Sequence, residues 1–189
     1  MTDLFGLDSY LVRRKVLKLL GAGFQVYDDR GRVVAYSAQK AFKLREDIRV
    51  FADERETRPL MRIQARQVID FSAAYDIVDE RDRSVLGSAR RKGIKSLVRD
   101  SWELLDAEGR TVASLEEDSM AMGLLRRFVG PLIPQRFHIG EGDAAVHMTQ
   151  HFNPFIYRLH VSVPKNCPLD RRLVFGLVVL VAAIEGRQN

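Results

Sequence analysis

The segment that most constrains this chain is its last one, where Leu173-Val174-Phe175-Gly176-Leu177-Val178-Val179-Leu180-Val181-Ala182-Ala183-Ile184 runs without a polar side chain. Ahead of it, Asn166-Cys167-Pro168-Leu169-Asp170 offers a capping residue and a proline for the first turn of a helix. A helix that is apolar all round has no face for water, so lipid or protein must cover it on every side. Length decides between the two. About a dozen apolar residues fall well short of the roughly 20 that span a bilayer, and Arg171, Arg172, Glu185 and Arg187 close the run at both ends. The expectation is a helix inside a protein shell, no transmembrane segment, and a stability dominated by burial of this helix.

The residues ahead of the helix read as that shell. From Gln25 to Leu115, short runs alternate apolar and polar residues, the pattern of half-buried strands. Three turns between them share one chemistry: Asp28-Asp29-Arg30-Gly31-Arg32, Asp79-Glu80-Arg81-Asp82-Arg83 and Asp106-Ala107-Glu108-Gly109-Arg110. In each, the first Asp can bond the backbone a residue or two on, and a Gly or Asp three positions later tolerates the left-handed conformation. Gln25-Val26-Tyr27 should then face Val33-Val34-Ala35, Asp76-Ile77-Val78 should face Ser84-Val85-Leu86, and Glu103-Leu104-Leu105 should face Thr111-Val112-Ala113. Further strands are expected at Tyr10 to Val16, Ile48 to Ala52, Leu60 to Ala65, Phe137 to Ile139, Ala144 to Thr149 and Phe155 to Val163. A sheet of about a dozen strands curls or closes, because closure removes unpaired edges. Ser119 to Val129 lacks alternation and reads as a short surface helix ending before Gly130-Pro131. The fold class is mainly β: a roughly twelve-stranded antiparallel β-barrel enclosing an apolar C-terminal helix.

With 189 residues, 46% apolar and 29% charged, the chain is the right size for one domain with a full core. No low-complexity tract marks an internal boundary, so residues 10–189 are expected to form a single domain behind a loose N-terminus, residues 1–9. The single Cys167 excludes an intramolecular disulfide and, at the mouth of an apolar helix, is expected to be buried. Met1 to Asp8 lack the basic start and apolar stretch of a secretory signal, so a cytoplasmic location is the expectation.

The search for catalytic chemistry returns little. His147 and His151 are four residues apart and His160 follows, a spacing that on a helix could hold a metal. Here the surrounding run alternates as a strand, where residues four apart are too distant to share one ion. Gly140-Glu141-Gly142-Asp143-Ala144-Ala145 has the letters of a dinucleotide-binding loop, but a strand rather than a helix follows it, so it reads as a hairpin turn. No nucleophile elbow, Walker loop or paired cysteine motif is present. No catalytic residue, metal site or cofactor is indicated, and a non-enzymatic binding role is expected.

A net charge of +5 and a pI near 9.5 bias the surface toward acidic partners. The basic groups most suited to an anion are Arg90, Arg91, Lys92 and Lys95, with Arg99 nearby, and a second group of Arg13, Arg14 and Lys15. Near an anionic membrane each such cation contributes about 1 kcal/mol. The competing reading is that these are exposed strand ends, kept soluble and guarded against edge pairing by their charge. Nucleic acid is less well supported, because the aromatic-interleaved basic motif of common RNA readers is absent.

Successive hairpins of the type Val26-Tyr27-Asp28-x-x-Gly31 and Arg99-Asp100-Ser101-Trp102-Glu103-Leu104-Leu105-Asp106-x-x-Gly109 are followed by an apolar helix between Asp170 and Glu185. From about Tyr10 onward this pattern resembles the LURP-one-related family, which is grouped with phospholipid scramblases and Tubby C-terminal domains. The resemblance implies a Tubby C-terminal-like barrel of twelve strands threaded by the last helix. Because Tubby domains bind phosphoinositides, it also implies a module associating peripherally with anionic phospholipids; separately, a monomer is expected. A nucleic-acid or protein-binding scaffold and a scramblase-like activity are the alternatives. The chain has neither an EF-hand-like acidic loop nor a cysteine-rich palmitoylation stretch, which argues against calcium-dependent scrambling.

Overall fold

The computed structural model describes residues 3–15, 21–40, 47–66, 74–92, 101–117, 135–151 and 156–185. These carry the strands β1 (Ser9–Lys15), β2 (Gly21–Tyr27), β3 (Val33–Lys40), β4 (Asp47–Phe51), β5 (Pro59–Ala65) and β6 (Ala74–Asp79). They continue as β7 (Ser84–Arg91), β8 (Trp102–Asp106), β9 (Thr111–Glu117), β10 (Gln135–Ile139), β11 (Val146–His151) and β12 (Ile156–Ser162). Every neighbouring pair is antiparallel, and β1 pairs with β12 to close the barrel. The expected short helix from Ser119 to Val129 lies outside the described residues.

Alternation along the strands decides what the barrel contains. Val12, Phe24, Val26, Ile63, Leu104 and Leu159 are among the side chains turned inward and closed to solvent. They surround the C-terminal helix, Arg171–Glu185, in which every residue from Leu173 to Ala183 is buried. The apolar run therefore faces strands on every side, as its lack of a polar face requires.

The helix begins later than the sequence implies. Asp170 is its cap, accepting from the Arg172 amide at 2.8 Å, and Pro168 stands outside the first turn. Cys167 is half-buried rather than buried, because it belongs to the connecting segment and not to the helix itself. Gly176 has a packing reason to be glycine. A Cβ there would sit 2.5 Å from Ile77 Cγ2 on β6, closer than two carbons can approach. Replacing Gly176 with alanine is expected to cost about 1–2 kcal/mol, overpacking outweighing the helix propensity gained. In an Ile77→Ala background the same change should become stabilising, and a double-mutant cycle in urea checks the reversal.

Four hairpins at one end of the barrel share a device. Asp28 accepts from the amides of Arg30 and Arg32 at 3.0 and 2.8 Å, and Asp106 accepts from the Arg110 amide at 2.8 Å. Gly31 and Gly109 take the left-handed conformation that closes these loops. In the third turn the left-handed residue is Arg83 rather than Asp82, whose carboxylate instead accepts from the Ser84 amide and hydroxyl. A fourth such loop follows Asp53, which accepts from the amides of Arg55, Thr57 and Arg58. Just before each loop the pairing register shifts, so the expected hairpins form with one residue skipped: Val34, Leu86 and Val112 in the three read from sequence. Such bulges sharpen strand twist, which a narrow closed barrel needs.

The helix starts at the end carrying these short loops. There the turn Leu4–Gly6 lies over the barrel mouth, with Leu4 buried and the Phe5 ring edge-on to Phe175 at 5.6 Å. Residues before Ser9 carry no periodic signal, yet Asp8 pairs with Arg171 at 2.9 Å.

Candidate functional site

The outer face of the sheet from β10 through β11 and β12 to β1 concentrates basic chemistry. Phe137, Ile139, Val146, Met148, Leu159 and Val161 fill the interior. The alternate residues Arg136, His138, His147, His151, Arg158 and His160 therefore point outward, as does Arg13 on β1. The register arranges them in rows. Arg13 stands directly opposite Arg158, and Arg158 opposite His151. In the next row His160 lies between Leu11 and Thr149, and Thr149 opposes Arg136. Beyond that, His147 faces His138 and Ser162.

Like charges directly opposite one another on a sheet face destabilise it. Arg13 and Arg158 form such a pair, and neither makes an ion pair among the described residues. The Nε atoms of both are shielded from water without a hydrogen-bond partner. Both line a groove of about 410 Å³ that Leu11, Tyr27 and His160 also border. Asp28 and Asp29 border the same groove, and Asp28 is already taken. Burial pushes the Asp28 carboxyl up, but the bonds from Arg32 and from the Arg30 amide outweigh it and hold the group ionised and occupied. The Tyr27 hydroxyl is likewise engaged, donating to Gln25 Oε1 at 2.7 Å.

The cations singled out from sequence divide sharply. Arg13 is on this face. Arg14, next along β1, has the opposite parity and sets its guanidinium 5.7 Å from the ring of the buried Phe24. Lys15 is the last residue of β1, in register with Gly23 and Ile156. Arg90 and Arg91 lie on β7, diametrically opposite β1 in the strand order. Arg90 gives two hydrogen bonds to Glu103, at 2.9 and 2.5 Å. Lys92 lies 3.7 Å from the same carboxylate and donates to Ser114 Oγ at 3.3 Å, while Arg91 opposes Trp102. Lys95 and Arg99 are outside the described residues. Among the described residues of the two runs, Arg13 is the cation that stands directly opposite another. Arg136, Arg158 and the histidines carried no run of like charge to mark them, because their grouping exists only once β10, β11, β12 and β1 are in register.

His147 and His151 share one face of β11 but are separated there by Thr149, and among the described residues no three metal-ligating side chains converge. Gly140 to Ala145 form the turn from β10 to β11, with a strand beyond it, as expected.

At the barrel mouth a second polar cluster is fully engaged internally. The buried Asp79 accepts from the Arg81 amide, Nε and Nη2 at 3.0, 2.9 and 2.6 Å, and from Arg172 Nη1 at 3.2 Å. The Arg81 bonds prevail over burial and hold the Asp79 carboxyl below the usual aspartate value. Arg172 also pairs with Asp170 at 2.7 Å, and Arg171 donates to the carbonyls of Leu7 and Pro164. This is a latch between helix and strand, with its donors and acceptors turned on each other.

The protein is a closed antiparallel barrel filled by its own C-terminal helix, so most of its polar side chains lie at the outer face and the mouths. The profile of the LURP-one-related family matches residues 33–182, and the chain belongs to that family and to its Tubby-like barrel architecture. No curated protein and no solved structure gives a match. Among the described residues no helix is long and apolar enough to cross a membrane.

Proposed function

We propose that this protein is a non-catalytic, Tubby-like module that docks on anionic phospholipid headgroups at the cytoplasmic surface of a membrane. The docking face is the outer side of β10, β11, β12 and β1. The observation that carries the reading is Arg13 opposite Arg158, two half-buried guanidiniums without a carboxylate between them. A phosphate placed there would relieve their repulsion and supply the acceptors that both Nε atoms lack. Family membership supports a binding role. Lipid passage through the barrel is no part of this reading, because the helix fills the interior.

Sedimentation with phosphatidylglycerol vesicles is the test. Binding is expected to weaken strongly between about 0.1 M and about 0.5 M salt, as exposed charges become screened. Arg13→Glu should reduce it about tenfold or more, because one substitution reverses a charge and ties up Arg158. The same substitution should raise thermal stability slightly, by up to about 1 kcal/mol, by turning a repulsive cross-strand pair into an attractive one. The opposite signs separate docking from damage to the fold. Arg90→Glu, already opposite Glu103, should leave vesicle binding nearly unchanged. Undiminished binding by Arg13→Glu, or tighter binding of mixed-sequence RNA than of vesicles at equal salt, would overturn the lipid assignment.

A further inference from the structure

The chain has four histidines. His138 on β10, His147 and His151 on β11 and His160 on β12 all occupy outward positions of three consecutive strands, and three of them are exposed. The same face carries Arg13, Arg136 and Arg158. Chance would spread four residues round a twelve-strand barrel; here they tile one side.

We propose that docking on anionic headgroups through this face is proton-gated: the histidine tile gains positive charge on mild acidification and tightens binding. The inference rests on the docking face proposed above and assigns its regulation. Imidazole is the side chain that ordinarily takes up a proton between pH 5 and 8, so acidification adds charge where the arginines already hold it.

The groups facing the histidines decide whether that charge is felt outside. His151 faces Arg158 across β12. His160 faces Leu11 and Thr149, and its Nε2 lies 3.4 Å from the Ser9 hydroxyl. His147 faces Ser162 and His138, and His138 faces the carboxylate of Glu116 on β9. Asp28 and Asp29 border the groove near His160, but the first is held by Arg32. Among the described residues, His147, His151 and His160 thus have no carboxylate in register on a neighbouring strand. Protons taken up by those three are not cancelled across the strands and add to the outward field.

Phosphatidylglycerol vesicles suit the experiment because their headgroup charge stays constant across this pH range. Sedimentation at fixed ionic strength compares about pH 7.5 with about pH 5.5, the two sides of ordinary imidazole titration. The wild-type protein is expected to bind at least tenfold more tightly at the lower pH. The variant His147→Gln/His151→Gln/His160→Gln should lose most of the gain, read as the ratio of its own affinities at the two pH values. Circular dichroism at both pH values establishes that each protein is folded, and His151→Gln/His160→Gln provides a milder variant with an intermediate gain. Equal wild-type binding at both pH values would overturn the gate and leave docking intact, as would a full gain in the triple variant. Absence of binding at both pH values would remove docking and gate together.

Discussion

Trimming Leu177 to alanine is expected to lower the unfolding free energy by about 2–5 kcal/mol, the range for deleting a large aliphatic side chain from a packed core. Leu177 lies in the middle of the helix and is 0% exposed. The strands around it are hydrogen-bonded into a closed ring and cannot collapse inward without breaking register, which favours the upper part of that range. Val112→Ala is the matched control: Val112 is 41% exposed, and its truncation should cost under about 0.5 kcal/mol. Urea unfolding followed by circular dichroism measures both, and equal costs would contradict the packing described here.

Replacing Asp79 with alanine is the second large effect. Asp79 is buried, while its partners Arg81 and Arg172 are 44% and 32% exposed at the side chain. Breaking a fully buried pair costs about 3–5 kcal/mol; here water reaches both guanidiniums, so about 2–3 kcal/mol is expected. The pH dependence has a definite sign. Arg81 holds the folded carboxyl below its ordinary value, so the stabilisation is fully present above the unfolded aspartate value of about 4 and fades as pH falls through the folded one. Asp79→Ala should therefore flatten the acid limb of the stability curve below about pH 4 as well as lower its plateau. Melting temperatures across that range test it, and an unchanged acid limb would count against the latch.

The fold was legible because its two strongest signals are local. An apolar run of helical length leaves no alternative to enclosure, and an Asp followed by a left-handed residue is a complete hairpin instruction within a few positions. The loop after Asp53 escaped notice because its left-handed residue is Glu56, not glycine, and the loop is longer. Bulges at Val34 and Leu86 were hidden because either residue of Val33-Val34 or Val85-Leu86 satisfies an apolar pattern, and Val112 could as well stand in the ladder as Ala113.

The site was far less legible. Runs such as Arg13-Arg14-Lys15 and Arg90-Arg91-Lys92 look like patches in one dimension, but successive strand residues point to opposite faces. Arg14 accordingly turns to Phe24 and Arg91 sits opposite Trp102 while their neighbours face out. The converse also holds. Arg13 and Arg158 belong to strands from opposite ends of the chain, and only closure of the barrel sets them side by side.

Hydrogen exchange read by mass spectrometry, with and without phosphatidylglycerol vesicles, tests the central claim most directly. A helix enclosed by strands should exchange residues 171–185 only through global unfolding, and equally slowly in both conditions, while protection on vesicles appears in β11, β12 and β1. Rapid exchange of the helix in water, or protection of that segment only when vesicles are added, would mean that lipid rather than the barrel covers it.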